Sequence, residues 1–257
     1  MGIEGDTLIG RILFRRTLAR WRGLAGHVSD MTPAGLRALR GQARQMRREI
    51  DRALQRADAR LALPDPGGVA IPRPQLADWA WRPAIWNGRV DPAGCAAVEN
   101  RTTFGTGAAI FHDCRMNELT VRQIRNTRST DLSPFALSFD VFRFAGSFLS
   151  LVLDLPEAAV AGLKLSHVLR LEVGAEFEAP LEVFARLNVK HGPNTEQLVR
   201  ELDFTGDLAV AEFDLFHARI NERRIERAWL ELIFEGPEMN RIVLRDVTMS
   251  RRPRAEL

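Results

Sequence analysis

The sequence predicts an all-β sandwich, antiparallel and jelly-roll-like, that carries an N-terminal α-helical hairpin. Three observations predict it. Apolar residues recur at helical spacing up to residue 62 and at two-residue spacing from about residue 108 onward. Between these regimes lies ALPDPGGVAIPRPQ, residues 62–75, whose four prolines and two glycines mark a boundary rather than an element interior. The later apolar segments follow one another at short spacing, with no long helix between them to serve as a crossover, which favours antiparallel strands over a βαβ sheet. The expected division is a basic helical arm (1–62), a Pro/Gly-rich linker (63–75), a β-sandwich domain (76–251) and a tail (252–257).

The arm begins with an amphipathic helix over residues 7–26. Leu8, Ile9, Ile12, Leu13, Leu18, Trp21 and Leu24 are its apolar members, and Arg11, Arg15, Arg16, Arg20 and Arg22 its polar side. These arginines also break any apolar signal-peptide core, and Asp6 stands where a myristoylation signal needs Ser or Thr. The next helix has a clear start. Thr32 can cap free N–H groups, and Pro33 suits the first helical position. It runs to about Leu61, before Pro64, a rod of roughly 44 Å. Leu36, Leu39, Ala43, Met46, Ile50, Ala53, Ala57 and Leu61 form one apolar stripe, of a kind that supports coiled-coil pairing. A rod of this length needs a partner. It either shares an apolar seam with residues 7–26 or self-associates, and Ile50→Asp on a buried stripe would cost about 2–5 kcal/mol.

The charge is concentrated in this arm. Residues 1–62 hold thirteen arginines and six acidic residues, a net of +7, inside a chain whose net charge is +3. The rest of the chain is therefore slightly acidic, at −4. Arg37, Arg40, Arg44, Arg47 and Arg48 make a basic surface on the second helix. A nucleic-acid backbone could use such a field, but no recognition helix, zinc finger or basic-region zipper accompanies it. The partners expected for the arm are a protein, a second copy of the chain, or an anionic membrane touched peripherally.

After the linker, residues 108–113, 118–125, 136–144 and 147–155 read as strands, the last the most apolar and central. A short helical turn is expected within 156–162. Residues 166–173, 181–189, 196–204, 207–216, 225–235 and 240–249 complete the series. In 225–235, Ala228, Leu230, Leu232 and Phe234 face the core, while Trp229, Glu231 and Ile233 take the other side.

Candidate chemistry is sparse. Cys95 and Cys114, the only cysteines, form no zinc pattern and read as two reduced thiols, which with the lack of an export core predicts a cytoplasmic protein. His112-Asp113-Cys114 carries the residue types of a thiol nucleophile, yet alternation sends Asp113 to the opposite face, so a surface His beside a buried Cys is the expectation. Glu172, Glu176, Glu178 and Glu182 read as a solvated row before a glycosidase pair. Gly105-Thr106-Gly107 reads as a turn into the strand at 108. No metal site, cofactor or catalytic residue is expected. The candidate ligand-binding residues are Trp79, Trp81, Arg82, Trp86 and Asn87, because flat indole faces stack on sugar rings and the polar pair could hydrogen-bond; the alternative is that the tryptophans plug the open end of the sandwich or dock the helical arm.

The order WAWRPAIW (79–86), IFHDCR (110–115), ELTVRQ (118–123), then alternating strands ending in ELIFEGPEMNRIVLRDVTMSRR (231–252), resembles the jelly rolls of galactose-binding-like domains and carbohydrate-binding modules. Ile242, Leu244, Asp246 and Val247 match the form of their last strand. The chain also resembles an uncharacterised conserved family of Rhodobacter-like alphaproteobacteria, a domain of unknown function. The first resemblance implies a sandwich over residues 78–251 and glycan binding. The second brings no catalytic residue with it. The function expected is that of a non-catalytic binding or assembly protein, with a carbohydrate-binding module and an enzyme as alternatives.

Overall fold

The computed structural model describes residues 8–62, 71, 73–115 and 118–254. Outside them lie Asp6, residue 7 of the first expected helix, most of the Pro/Gly-rich linker with Pro64, and the end of the tail; the side chains of Leu8, Ile9, Arg11, Ala57 and Leu61 are outside as well. The chain divides into two compact units, Met1–Ala53 and Leu54–Leu257.

The two long helices lie within a residue or two of their expected bounds. Helix α1 spans Leu8–Gly26 and helix α2 spans Pro33–Ala62, with a single 3-10 turn, Val28–Asp30, between them. Thr32 caps α2. Its Oγ1 accepts a hydrogen bond from the Gly35 N–H at 3.3 Å, and its carbonyl accepts from the Leu36 N–H at 2.9 Å. The shared seam does not form as expected. Leu36, Leu39 and Ala43 are half-buried, but Ile50 is 52% exposed and Leu54 55%. The stripe is thus half-buried in the first turns of α2 and exposed from Met46 to Ala53, where a groove is lined by Thr17, Arg20 and Trp21 of α1 and by Gln42, Gln45, Met46 and Glu49 of α2.

The second unit is the sandwich. Its strands are β1 (Trp79–Trp81), β2 (Gly94–Ala96), β3 (Thr102–Thr103), β4 (Ala108–His112), β5 (Leu119–Arg125), β6 (Phe135–Val141) and β7 (Leu149–Asp154). There follow β8 (His167–Phe177), β9 (Glu182–His191), β10 (Asn194–Glu201), β11 (Phe204–Thr205), β12 (Leu208–Asp214), β13 (Ile225–Glu235) and β14 (Asn240–Pro253). Two short helices intervene, α3 (Ala84–Asn87) and α4 (Glu157–Val160), the latter inside the segment expected to turn. One sheet has the order β11-β12-β8-β14-β6-β5-β2, with β1 paired beside β14; the other has the order β10-β9-β13-β7-β4-β3. Every pairing is antiparallel.

Alternation explains the core. Leu169, Leu171 and Val173 of β8, Val183, Ala185, Leu187 and Val189 of β9, and Ala228, Leu230, Leu232 and Phe234 of β13 are all buried. The sheets meet face to face, and Phe139 of β6 stands 5.9 Å from Phe234 of β13, centroid to centroid. Gly105 and Gly107, both in the left-handed region, turn the chain into β4 as expected. A Cβ at Gly105 would meet Ile85 Cγ2 at 2.7 Å, so the close approach also needs glycine.

Two expectations are corrected. The segment read as one strand over 196–204 is two strands, β10 and β11, in different sheets. Leu202 is buried between them and its N–H donates to the Val183 carbonyl, so the chain changes sheet within a few residues. The segment 136–144 stops pairing as β6 at Val141, where Phe142 turns outward. The short strands β1, β2, β3 and β11 carry too few residues to show a period, and they exist through their pairing with longer neighbours.

Candidate functional site

The five residues singled out by the sequence lie near one another, but in two different roles. Trp79 and Trp81 share a face of β1, with ring centroids 6.3 Å apart and planes 17° from parallel. Both are half-buried and packed against the core. Arg251 of β14 holds this strand in place. Its guanidinium donates to both oxygens of Asp78 at 3.0 Å and also to the carbonyls of Ala159 and Ala161. The same guanidinium holds the Asp78 carboxyl below the ordinary carboxylate value.

Trp86 and Arg82 are corrections. Trp86 is fully buried, and its Nε1 donates to the Leu244 carbonyl at 3.0 Å, so the ring is core and no ligand reaches it. Arg82 is also buried. Its Nε and Nη2 donate to the two oxygens of Asp246, each at 2.7 Å, a bidentate pair. Burial pushes the Asp246 carboxyl above its ordinary value, and Arg82 offsets this only in part. Asn87 donates to the Arg82 carbonyl at 3.4 Å and is half-buried. These residues join α3 and β14 rather than present a surface.

The His-Asp-Cys run is structural. Asp113 is exposed and accepts from the Ser147 N–H at 2.7 Å and the Ser147 hydroxyl at 2.6 Å; the hydroxyl is the main cause of its lowered carboxyl pKa. His112 is buried rather than on the surface, a further correction. Its Nε2 lies 2.8 Å from the Val98 carbonyl, and its ring meets Phe144 edge-on. Cys114 is buried and unbridged, and Cys95 is half-buried and unbridged. Glu172 and Glu176 are engaged by Arg170 and Arg245. The arginines Arg37, Arg40, Arg44, Arg47 and Arg48 are all exposed on α2.

A different surface has the chemistry of a binding site. The outer face of the six-stranded sheet holds a depression of about 700 Å³ lined by residues of β4, β7, β9 and β13. Registry builds it. Trp229 lies between Asp154 on β7 and Asn188 on β9, and Glu231 between Val152 and Arg186. Phe111 of β4 stands across from Ser150. The Arg227 guanidinium sits 4.8 Å from the Trp229 ring centroid. Glu231 accepts from Arg186 Nη2 at 2.6 Å and from Nε at 2.9 Å. Ser150 is buried, and its hydroxyl has no partner among the described residues. The result is a half-buried indole and phenyl surface edged by a guanidinium–carboxylate pair and by the exposed Asp154.

The sequence had this face in view without identifying it. Alternation puts Trp229, Glu231 and Ile233 on the water-facing row, and the signal is a tryptophan and an isoleucine there. The outer face of the eight-stranded sheet contrasts with it. There Arg170–Glu172, Arg122–Asp140, Arg128–Asp207 and Arg252–Glu212 pair with one another. A depression of about 330 Å³ on that sheet is lined by such charges, and another of about 600 Å³, beside the β9–β10 turn, is lined by Arg219, Arg223, Arg224 and His191, without a tryptophan or phenylalanine.

No curated protein matches the sequence. Among solved structures, the chain is similar to the enzymatically active domain of bacteriophage CBA120 tailspike protein 4, with a TM-score of 0.40 and 6% identity over 56% of this chain and 19% of that one. It thus spans about a fifth of that structure's length. It is similar to the family 11 carbohydrate-binding module from Clostridium thermocellum, solved in complex with a β-1,3-1,4-mixed-linked tetrasaccharide, with a TM-score of 0.39 and 11% identity over 62% of this chain and 96% of that one. It is similar as well to the CBM22-1 xylan-binding domain from Paenibacillus barcinonensis, with a TM-score of 0.37 and 8% identity over 63% and 94%. The whole sequence, residues 1–257, matches the family described as "Family of unknown function (DUF6478)".

Proposed function

We propose that this chain, which belongs to the DUF6478 family, is a non-catalytic glycan-binding protein whose ligand lies across the outer face of the six-stranded sheet. One observation carries the reading: the Trp229 indole lies in a sheet-wide depression flanked by groups that bond hydroxyls. A sugar ring has one face of C–H groups and a rim of hydroxyls. An aromatic face takes the first, and charged or amide side chains take the second. The volume is in the range of small-molecule sites. Arg186 and Glu231 hold each other in fixed geometry, so their outward lone pair and N–H sites are preset for hydroxyls. The same pairing argues against hydrolysis. A glycosidase needs two carboxyl groups able to act on the bond, and Glu231 is engaged by Arg186.

The test is affinity electrophoresis of the whole protein through gels containing soluble β-glucans, xylans or galactans. Retardation by at least one polysaccharide is expected, and Trp229→Ala should weaken it about tenfold while the melting temperature stays close to that of the parent. Phe111→Ala, on the other side of the depression, should weaken it less. A protein retarded by no polysaccharide, or a folded Trp229→Ala variant retarded as before, rejects the proposal.

A further inference from the structure

We propose that the helical hairpin docks the protein on an anionic lipid surface, with α1 lying in the plane of the interface. The observations concern the hairpin alone. On α1, Leu13, Phe14, Leu18, Trp21 and Leu24 follow helical spacing onto one face. Phe14 is 67% exposed and Leu13 57%. The same helix carries five arginines and no acidic residue. On α2, the stripe members Met46 and Ile50 are exposed, and eight arginines outnumber Glu49, Asp51 and Asp58. Ile12, Leu13, Phe14 and Leu18 of α1 and Met46 and Ile50 of α2 are thus large apolar side chains left in water on a strongly basic pair of helices.

Charge selects the occupant. A second copy of the hairpin could cover the apolar residues, but it would bring thirteen more arginines against the thirteen already there. Nucleic acid would satisfy the arginines and leave Leu13, Phe14 and Ile50 in water. An anionic bilayer interface accepts both at once, apolar side chains at the acyl boundary and guanidinium groups among the headgroups. Among the described residues no helix is long and apolar enough to cross a membrane, so α1 lies on the surface rather than through it.

The experiment is co-sedimentation of the full chain with vesicles of phosphatidylcholine alone and of phosphatidylcholine mixed with phosphatidylglycerol. Binding to the mixed vesicles only is expected, falling as salt is raised. Two double variants, Leu13→Gln with Phe14→Gln and Arg15→Gln with Arg16→Gln, should each lose about tenfold in binding with helix content and melting unchanged. The first removes apolar contact and keeps the charge; the second does the reverse. Four outcomes overturn the proposal. They are no binding to either vesicle, equal binding to both, retained binding in either folded variant, and a chain that ignores vesicles but dimerises or binds duplex DNA through these helices.

Discussion

Arg82 and Asp246 lie 164 positions apart and share two hydrogen bonds of 2.7 Å. The pair fastens the entry to α3 against β14. Because burial raises the Asp246 carboxyl pKa, the folded state holds that proton more readily than the unfolded chain does. The group's own contribution to stability is therefore greatest below the ordinary carboxylate range and declines as pH rises through its folded value. At neutral pH the pair is worth little compared with an apolar replacement, but half of it is costly. Asp246→Ala leaves the Arg82 guanidinium buried without its counterion and should destabilise the protein by about 3–5 kcal/mol, read from the urea midpoint. Replacing both, Arg82→Met with Asp246→Leu, should cost clearly less. A single variant as stable as the parent would show that Arg82 finds water instead. Arg82 and Trp86 are legible as a cluster with Trp79 and Trp81, and the sequence leaves both a plug for the sandwich and a ligand face open to the tryptophans. Their partners, Asp246 and Leu244, lie at the far end of the chain, and local spacing says nothing of which strand passes behind.

Elements show the same division. Helix α2 was readable from its cap, its proline and its stripe, since each is set by residues within a few turns. How far along α2 the stripe is covered depends on what packs against it, and it is exposed from Met46 to Ala53. With Ile50 half exposed, Ile50→Asp should move the stability of the free protein by no more than about 0.5 kcal/mol, far below the cost for a buried stripe. Thermal melting without lipid measures this. A drop of several kcal/mol would place Ile50 in a buried seam after all. Strand β13 was readable too, and its two faces were sorted correctly. That the outward face forms a depression follows from Trp229 meeting Asp154 and Asn188, and Glu231 meeting Arg186, across two neighbours. Register between strands decides those meetings.

For the molecule as a whole, the buried apolar cluster begins at Ile85 and ends at Met249, and no described residue of the helical hairpin is buried. The sandwich thus contains its own core. A chain of residues 71–257 should fold without the arm and melt within a few degrees of the full protein, as followed by circular dichroism in the near ultraviolet. It should keep any polysaccharide binding and lose any vesicle binding. A fragment that stays unfolded would mean that the arm completes the core.

The sequence by itself determined the sandwich class, the antiparallel strands, both long helices and the basic arm. Those features rest on period, capping and local composition, which act over a few residues. Tertiary structure alone decided the assignment of β10 and β11 to different sheets, the burial of His112, Trp86 and Arg82, the exposure of the α2 stripe from Met46 to Ala53, and the meeting of Trp229 with Phe111, Arg186 and Asp154 on one face. Each of these depends on contacts between segments distant in sequence, where registry and packing, rather than spacing along the chain, bring side chains together.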